Sequence, residues 1–366
     1  MGENAISPRL LVTRHWSFVT GSNMGFGRRE SGLRPQISSV KPQAAIAGGE
    51  FVVQGSRFRA NGDERPRVRF GEVEAPLIVG GDDFMVIRVP EGATVGELIV
   101  ENRDASSPPY LCSVGIPIAE NLHPVANPVI DMHGNIYTTF SGSRGQKAPV
   151  SVYKIDLNYE VRPFVKELMN ATGLALDREG MLLISSRLDG TIYQVAQNGK
   201  MSVYAEGMGI ATGLALDREG NLYVGDHSGT IFKIAPSVAP TRQIFVFATL
   251  EPSISAYHLA IGADHRLYVT GPTTSSFDCI YRVSHKGEVE VYYRGLGRPQ
   301  GMAFDPEGRL YVAASLGGRK GVWRIGPGRT PELVISGPGI VGLAFASART
   351  AVVATNNALY RVELPG

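Results

Sequence analysis

The sequence predicts an all-β protein, a six-bladed β-propeller running from about residue 120 to the C-terminus behind a small β-sandwich. Three observations predict it. A repeat recurs six times at the spacing of a propeller blade, each copy reads as short strands punctuated by tight turns, and no stretch sustains the 3.6-residue period of a helix.

The repeat carries most of the argument. Ala171-Thr-Gly-Leu-Ala-Leu-Asp-Arg-Glu-Gly180 recurs unchanged at Ala211–Gly220, 40 residues later. Looser copies open at Tyr257-His258-Leu259, Pro299-Gln300-Gly301 and Ile340-Val341-Gly342, and an earlier one at Ala126-Asn127-Pro128. Aligned on the middle residue of each opening triplet, the copies start near 127, 172, 212, 258, 300 and 341. A four-stranded blade needs roughly 40–50 residues, which these spacings supply. Within a unit, an apolar strand ends in an Asp-x-x-Gly turn, where Asp bonds its own backbone and Gly accepts a positive φ. A Leu-Tyr-Val strand follows, its Tyr expected to pack between blades. Third strands such as Thr191–Val195 and Thr230–Ile234 come next, then a fourth after turns such as Asn198-Gly199 and Lys286-Gly287. The last unit runs out after its third strand, Ala358–Val362. An outer strand from within Cys112–Leu122 would complete it and remove an exposed edge, although the same stretch could instead end the preceding module.

Composition bounds the partners. With 43% apolar and 19% charged residues the chain is globular, and 44 glycines suit many tight turns. A net charge of +2 with balanced acids and bases gives no basic stripe for nucleic acid and no attraction to an anionic membrane. Cys112 and Cys279 are too few for a disulfide framework and read as buried small hydrophobes. No run reaches the ~18 apolar residues of a membrane-spanning helix. Leu10–Val12 is too short for a signal-peptide core, so a cytoplasmic location is expected; a misassigned start site would make it secreted or periplasmic. Residues 1–33 are expected to be a poorly ordered extension, 34–117 the sandwich and 118–366 the propeller.

Pro35-Gln-Ile-Ser-Ser-Val-Lys-Pro42 followed by Gly48-Gly-Glu-Phe-Val-Val-Gln-Gly-Ser-Arg-Phe58 resembles the opening of IPT/TIG immunoglobulin-like domains. That resemblance implies an immunoglobulin-like sandwich which binds or spaces rather than catalyses. The repeats resemble two families: NHL-repeat propellers, which are interaction scaffolds, and gluconolactonase and regucalcin-like propellers, which hydrolyse sugar lactones with one divalent cation. The lactonases hold that cation with a Glu from an E-G-P triplet and with Asn and Asp from N-D and P-N/D-G triplets, since a hard cation wants several oxygens at one point. Here Ala126 stands where the Glu would be. The later slots hold Thr172, Thr212, His258 and Gln300, so only Gln300 brings an amide and none brings a carboxylate. No cofactor is therefore expected, with a divalent cation such as Ca²⁺ as the alternative that the resemblance leaves open.

In this repeat the starts of first strands and the ends of second strands meet at one face, around the mouth of the central channel, and any site is expected there. Its candidate ligand-binding residues are Asn127, Arg144, Thr172, Arg187, Thr212, His227 and Gln300. His258 with Asp226 is the candidate metal-free acid–base pair; alternatively His258 is a channel histidine bonded to a backbone carbonyl. Arg144, in Ser141-Gly-Ser-Arg-Gly145, would hold an anion or simply be exposed. Asp131, Asp177, Asp217 and Asp305 belong to the turns of the opposite face. No nucleophile elbow, H-E-x-x-H, P-loop or C-x-x-C is present. The reading is a recognition protein whose propeller mouth holds a small polar ligand or a partner loop. The alternative is a gluconolactonase-like hydrolase acting on a lactone or ester. Three or more convergent carboxylate or amide oxygens at the mouth would favour the hydrolase.

Overall fold

The structure, a computed structural model, describes residues 34–59, 65–103, 105–140, 148–236, 242–275 and 277–365; the expected extension, 1–33, lies outside them. Among the described residues every regular element is a β-strand.

The N-terminal module is a two-sheet sandwich. One sheet orders Gln36–Lys41, Glu50–Ser56, Phe84–Arg88 and Leu77–Gly80; the other orders Val73–Glu74, Arg67–Phe70, Glu97–Glu101 and Tyr110–Leu111. Alternation along Glu50–Ser56 turns Phe51 and Val53 inward and leaves their neighbours partly wet. Phe51 from one sheet meets Phe70 from the other with ring centroids 5.9 Å apart, and Phe58, Met85 and Leu98 fill the space around them. Cys112 and Cys279 are free thiols.

Six four-stranded blades follow. Blade 1 comprises Val129–Ile130, Ile136–Thr139, Val152–Ile155 and Val161–Val165; blade 2, Ala171–Leu176, Leu182–Ser186, Ile192–Val195 and Met201–Ala205; blade 3, Ala211–Leu216, Leu222–Asp226, Thr230–Ile234 and Ile244–Thr249. Blade 4 comprises His258–Ile261, Leu267–Thr270, Asp278–Val283 and Val289–Leu296; blade 5, Met302–Phe304, Leu310–Leu316, Arg319–Ile325 and Pro331–Ser336. Blade 6 takes Ile340–Phe345, Thr350–Thr355 and Ala358–Glu363 from the C-terminus and its outer strand, Ile116–Glu120, from the stretch before blade 1. That antiparallel pairing, Ile116 opposite Arg361 and Glu120 opposite Ala358, closes the ring. The second-strand tyrosines Tyr137, Tyr223, Tyr268 and Tyr311 are buried between blades.

The two modules share a sheet, which the sequence did not announce. Ala44–Ala45 adds in parallel to the outer strand of blade 5, pairing with Ile335 and Ser336, and Ser113–Val114 adds in parallel beyond it. Period two then works across the seam: Ala44 faces the propeller core with Ile335 and Val362, and Ala45 faces the sandwich core with Phe51 and Val114. Small residues make the approach feasible. A Cβ on Gly49 would lie 2.2 Å from the Ser336 carbonyl oxygen. The Ser336 hydroxyl also accepts a hydrogen bond from the Glu50 amide at 2.8 Å.

Because one sheet crosses the seam, sandwich and propeller are expected to unfold in urea as a single transition. Gly49→Ala forces the Ser336 backbone to move and is expected to cost about 1–3 kcal/mol, read as a lower urea midpoint or as a separate, earlier transition of the sandwich.

Candidate functional site

The channel is built by the first strands, and the residues after the slot positions set its width. A Cβ on Gly173 would sit 2.2 Å from the Thr212 carbonyl oxygen, and one on Gly213 would sit 2.3 Å from that of Tyr257. On Gly301 it would meet the Asn127 amide oxygen at 2.0 Å, and on Gly342 the Asn127 backbone nitrogen at 2.7 Å. These glycines let neighbouring first strands touch. Among the described residues, one cavity between them has about 20 Å³, lined in part by Asn127, Gly173, Gly213 and His258, with room for about one water.

Two of the slot side chains, Asn127 and Thr212, are bound blade to blade. Asn127 donates to the Met302 carbonyl at 2.7 Å and accepts from the Leu343 amide at 3.1 Å, tying the start of blade 1 to blades 5 and 6. The Thr212 hydroxyl donates to Gly225 O at 2.8 Å and accepts from the Tyr257 amide at 3.1 Å. Thr172 donates to the Asn170 carbonyl at 3.1 Å. Two clasps escaped the sequence reading. Ser185 accepts from Gly173 N and donates to Thr212 O, and Thr270 donates to Gln300 O at 2.7 Å. A hydroxyl at the same place near the end of the second strands of blades 2 and 4 was their only signal.

His258 and Asp226 do not meet as a pair. Asp226 accepts from the Ile210 amide at 2.6 Å through Oδ1, and from the Ser228 amide and hydroxyl through Oδ2, so its carboxylate anchors its own loops. His258 is 3% exposed, and its Nε2 has no hydrogen-bond partner. Burial pushes the imidazole down to about 4, against a weaker upward pull from its bond with the Gln300 side chain. The backbone amides of Arg187 and His227 bond the equivalent carbonyls of Asn170 and Ile210, at 3.1 Å each, leaving an exposed Arg187 and a half-buried His227 at the rim. Arg144 lies outside the described residues. Among the described residues, no three His, Cys, Asp or Glu side chains converge as a metal site would require.

The opposite face holds a cavity of about 730 Å³, lined by turn residues of blades 2, 3, 4 and 5 and by Arg242, whose guanidinium stacks 3.8 Å from the Tyr204 ring centroid. Its aspartates are spent on their turns. Asp217 accepts from Glu219 N, Asn221 N and Nδ2, and from the Tyr223 hydroxyl at 3.1 Å. Outside the cavity, Asp131 repeats the pattern with His133, Asn135 and Tyr137. There burial pushes the Asp131 carboxyl up, and the hydrogen bonds outweigh it, so its pKa stays below the ordinary value.

Two predictions follow from the ring. Asn127→Ala strands two buried backbone groups and is expected to lower unfolding free energy by about 2–3 kcal/mol, measured by urea denaturation. His258 is neutral in the fold and protonates near 4, whereas the unfolded imidazole protonates near 6.5. The unfolded state therefore takes up the proton first, and stability falls as pH drops from about 6.5 to 4 by about 3 kcal/mol. His258→Asn is expected to flatten that limb of the stability–pH curve.

Residues 35–114 match the IPT/TIG domain family model, and residues 213–234 match the strictosidine synthase-like N-terminal model. No curated protein matches the sequence. Among solved structures, a protein of unknown function from Bacteroides thetaiotaomicron VPI-5482 aligns at TM-score 0.55 and 12% identity, over 92% of this chain and 99% of its own. An auxiliary nutrient binding protein from the same organism aligns at TM-score 0.51 and 12% identity, over 91% and 98%. A gluconolactonase from Xanthomonas campestris aligns at TM-score 0.56 and 13% identity, over 69% of this chain and 90% of its own. At such identities the likeness is one of fold. The chain is a β-sandwich, matched over residues 35–114 by the IPT/TIG domain model, followed by a six-bladed β-propeller whose fold is like that of these solved structures.

Proposed function

We propose that this protein is a recognition protein that holds a partner loop against the mouth of its propeller. One observation carries the reading: Asn127 and Thr212, slot residues that would have to offer ligand atoms, are bonded from blade to blade around a cavity of about 20 Å³. A sugar lactone has no way into such a space. What the mouth does present is a rim. Leu188, Ile254 and Phe277, each more than half exposed, project from loops at that end of blades 2, 3 and 4, near Met169, Ile210 and Arg187. Exposed apolar side chains beside a guanidinium suit a protein segment better than a small polar solute. The auxiliary nutrient binding protein, alike over both modules, supports a binding role for this architecture.

The hydrolase reading keeps one specific observation, the unpartnered Nε2 of His258. An imidazole with a pKa of about 4 is a weak base, and at neutral pH it would act only if the channel opened.

The deciding experiment is gluconolactone hydrolysis by the purified chain with Ca²⁺, Zn²⁺ or Mn²⁺ added, alongside calorimetric titration of the metal-stripped protein. The expected outcome is a rate no higher than the uncatalysed one and no stoichiometric metal binding. Metal-dependent turnover would overturn the recognition reading, and metal-independent turnover lost in His258→Ala would install the acid–base mechanism instead.

A further inference from the structure

The seam between the modules encloses a cleft of about 440 Å³. One wall is sandwich, Gly48 to Glu50 with Arg88. The other is blade 5, the hairpin Gly318 to Lys320 and the turn Ser336 to Pro338. Three cations line it, Arg88, Arg319 and Lys320, against the single carboxylate of Glu50.

Those charges are not evenly matched. Glu50 and Arg88 pair with each other at 2.9 Å. Among the described residues no carboxylate comes within ion-pair distance of Arg319 or Lys320. The guanidinium of Arg319 reaches the Lys41 carbonyl at 3.4 Å, a long contact across the seam. The hairpin fixes it there. Leu316 pairs with Arg319 around Gly317-Gly318, both with positive φ, the two-residue turn that glycine suits. Half-burying a guanidinium without a counter-charge is costly, and burial lowers the pKa of Arg319, opposed only by the more distant charge of Glu50.

We propose that this cleft binds a small multivalent anion, a polycarboxylate or a phosphate, at the guanidinium of Arg319, with Lys320 adding positive charge at the cleft's edge. The guanidinium offers a planar fork of N–H donors that matches either group, and the ammonium adds a mobile point charge at the cleft edge. The walls need no rearrangement, since the continuous sheet and the bond from the Glu50 amide to Ser336 hold them at fixed separation. The proposal is independent of the mouth and stands whatever the mouth binds.

The test is calorimetric titration of the full chain, at low ionic strength, with citrate and separately with inorganic phosphate. One-to-one saturable binding of at least one of them is expected, and which one binds tells a carboxylate ligand from a phosphate. Arg319→Gln should weaken it about tenfold or more, Lys320→Gln by a smaller factor, and Lys286→Gln, in a remote turn of blade 4, not at all. Absence of saturable binding, binding that Arg319→Gln leaves intact, or equal weakening by Lys286→Gln would each overturn the proposal. Should Arg319→Gln unfold the protein, the exposed Lys320→Gln decides against the same control.

Discussion

The rest of the propeller depends on how closely its first strands approach one another. Gly173, Gly213, Gly301 and Gly342 each occupy a place where a Cβ would fall within 2.0–2.8 Å of a neighbouring blade's backbone or of Asn127. Backbones that close must satisfy their polar groups across the blade boundary, because water has no access to them. Thr212, Ser185, Thr270 and Asn127 do so. Width and polarity of the channel are thus two sides of one constraint: the residues that could have offered oxygens to a cation or substrate are the residues that hold the ring shut.

The ring is closed at two depths. At the outside, Ile116–Glu120 completes blade 6 with a strand from before blade 1. At the axis, Asn127 spans blades 5 and 6 from the start of blade 1. Between these clasps run only a few residues, so the chain enters the propeller already fixed at both ends. The sandwich lies just upstream and is fixed in turn by Ala44–Ala45 on blade 5. The module therefore extends the edge of blade 5 rather than hanging from a linker, and covers an outer strand that would otherwise expose unpaired backbone groups.

Much of the fold was legible because repetition multiplies weak signals. One Asp-x-x-Gly turn means little, and the same turn recurring at blade spacing, each time followed by a short apolar strand, leaves few architectures. The turn aspartates read correctly for the same reason: their hydrogen bonds are local, within six residues for Asp131 and Asp217. The site was less legible because its partners are not local. Asn127 bonds residues 175 and 216 positions away, and nothing near it in sequence marks it as a clasp. Asp226 and His258 sit on adjacent blades, yet proximity around a ring did not predict which way each would hydrogen-bond. The seam was hidden for a further reason, since a two-residue strand such as Ala44–Ala45 has no periodicity to detect.

His258 shows where these constraints leave slack. Asn127, Thr172 and Thr212 give their side chains to another blade's backbone or to their own loops, whereas His258, bonded to the Gln300 side chain, keeps its Nε2 unbonded and lines the small axial cavity. An unpaired buried nitrogen costs stability, and a cavity of that volume with Asn127 alongside is where a single water would bond it. On that account the imidazole is part of the ring's packing and the channel is an axle rather than a pocket. The surfaces the ring does not consume are the rim loops of blades 2 to 4 and the seam where the sandwich joins blade 5.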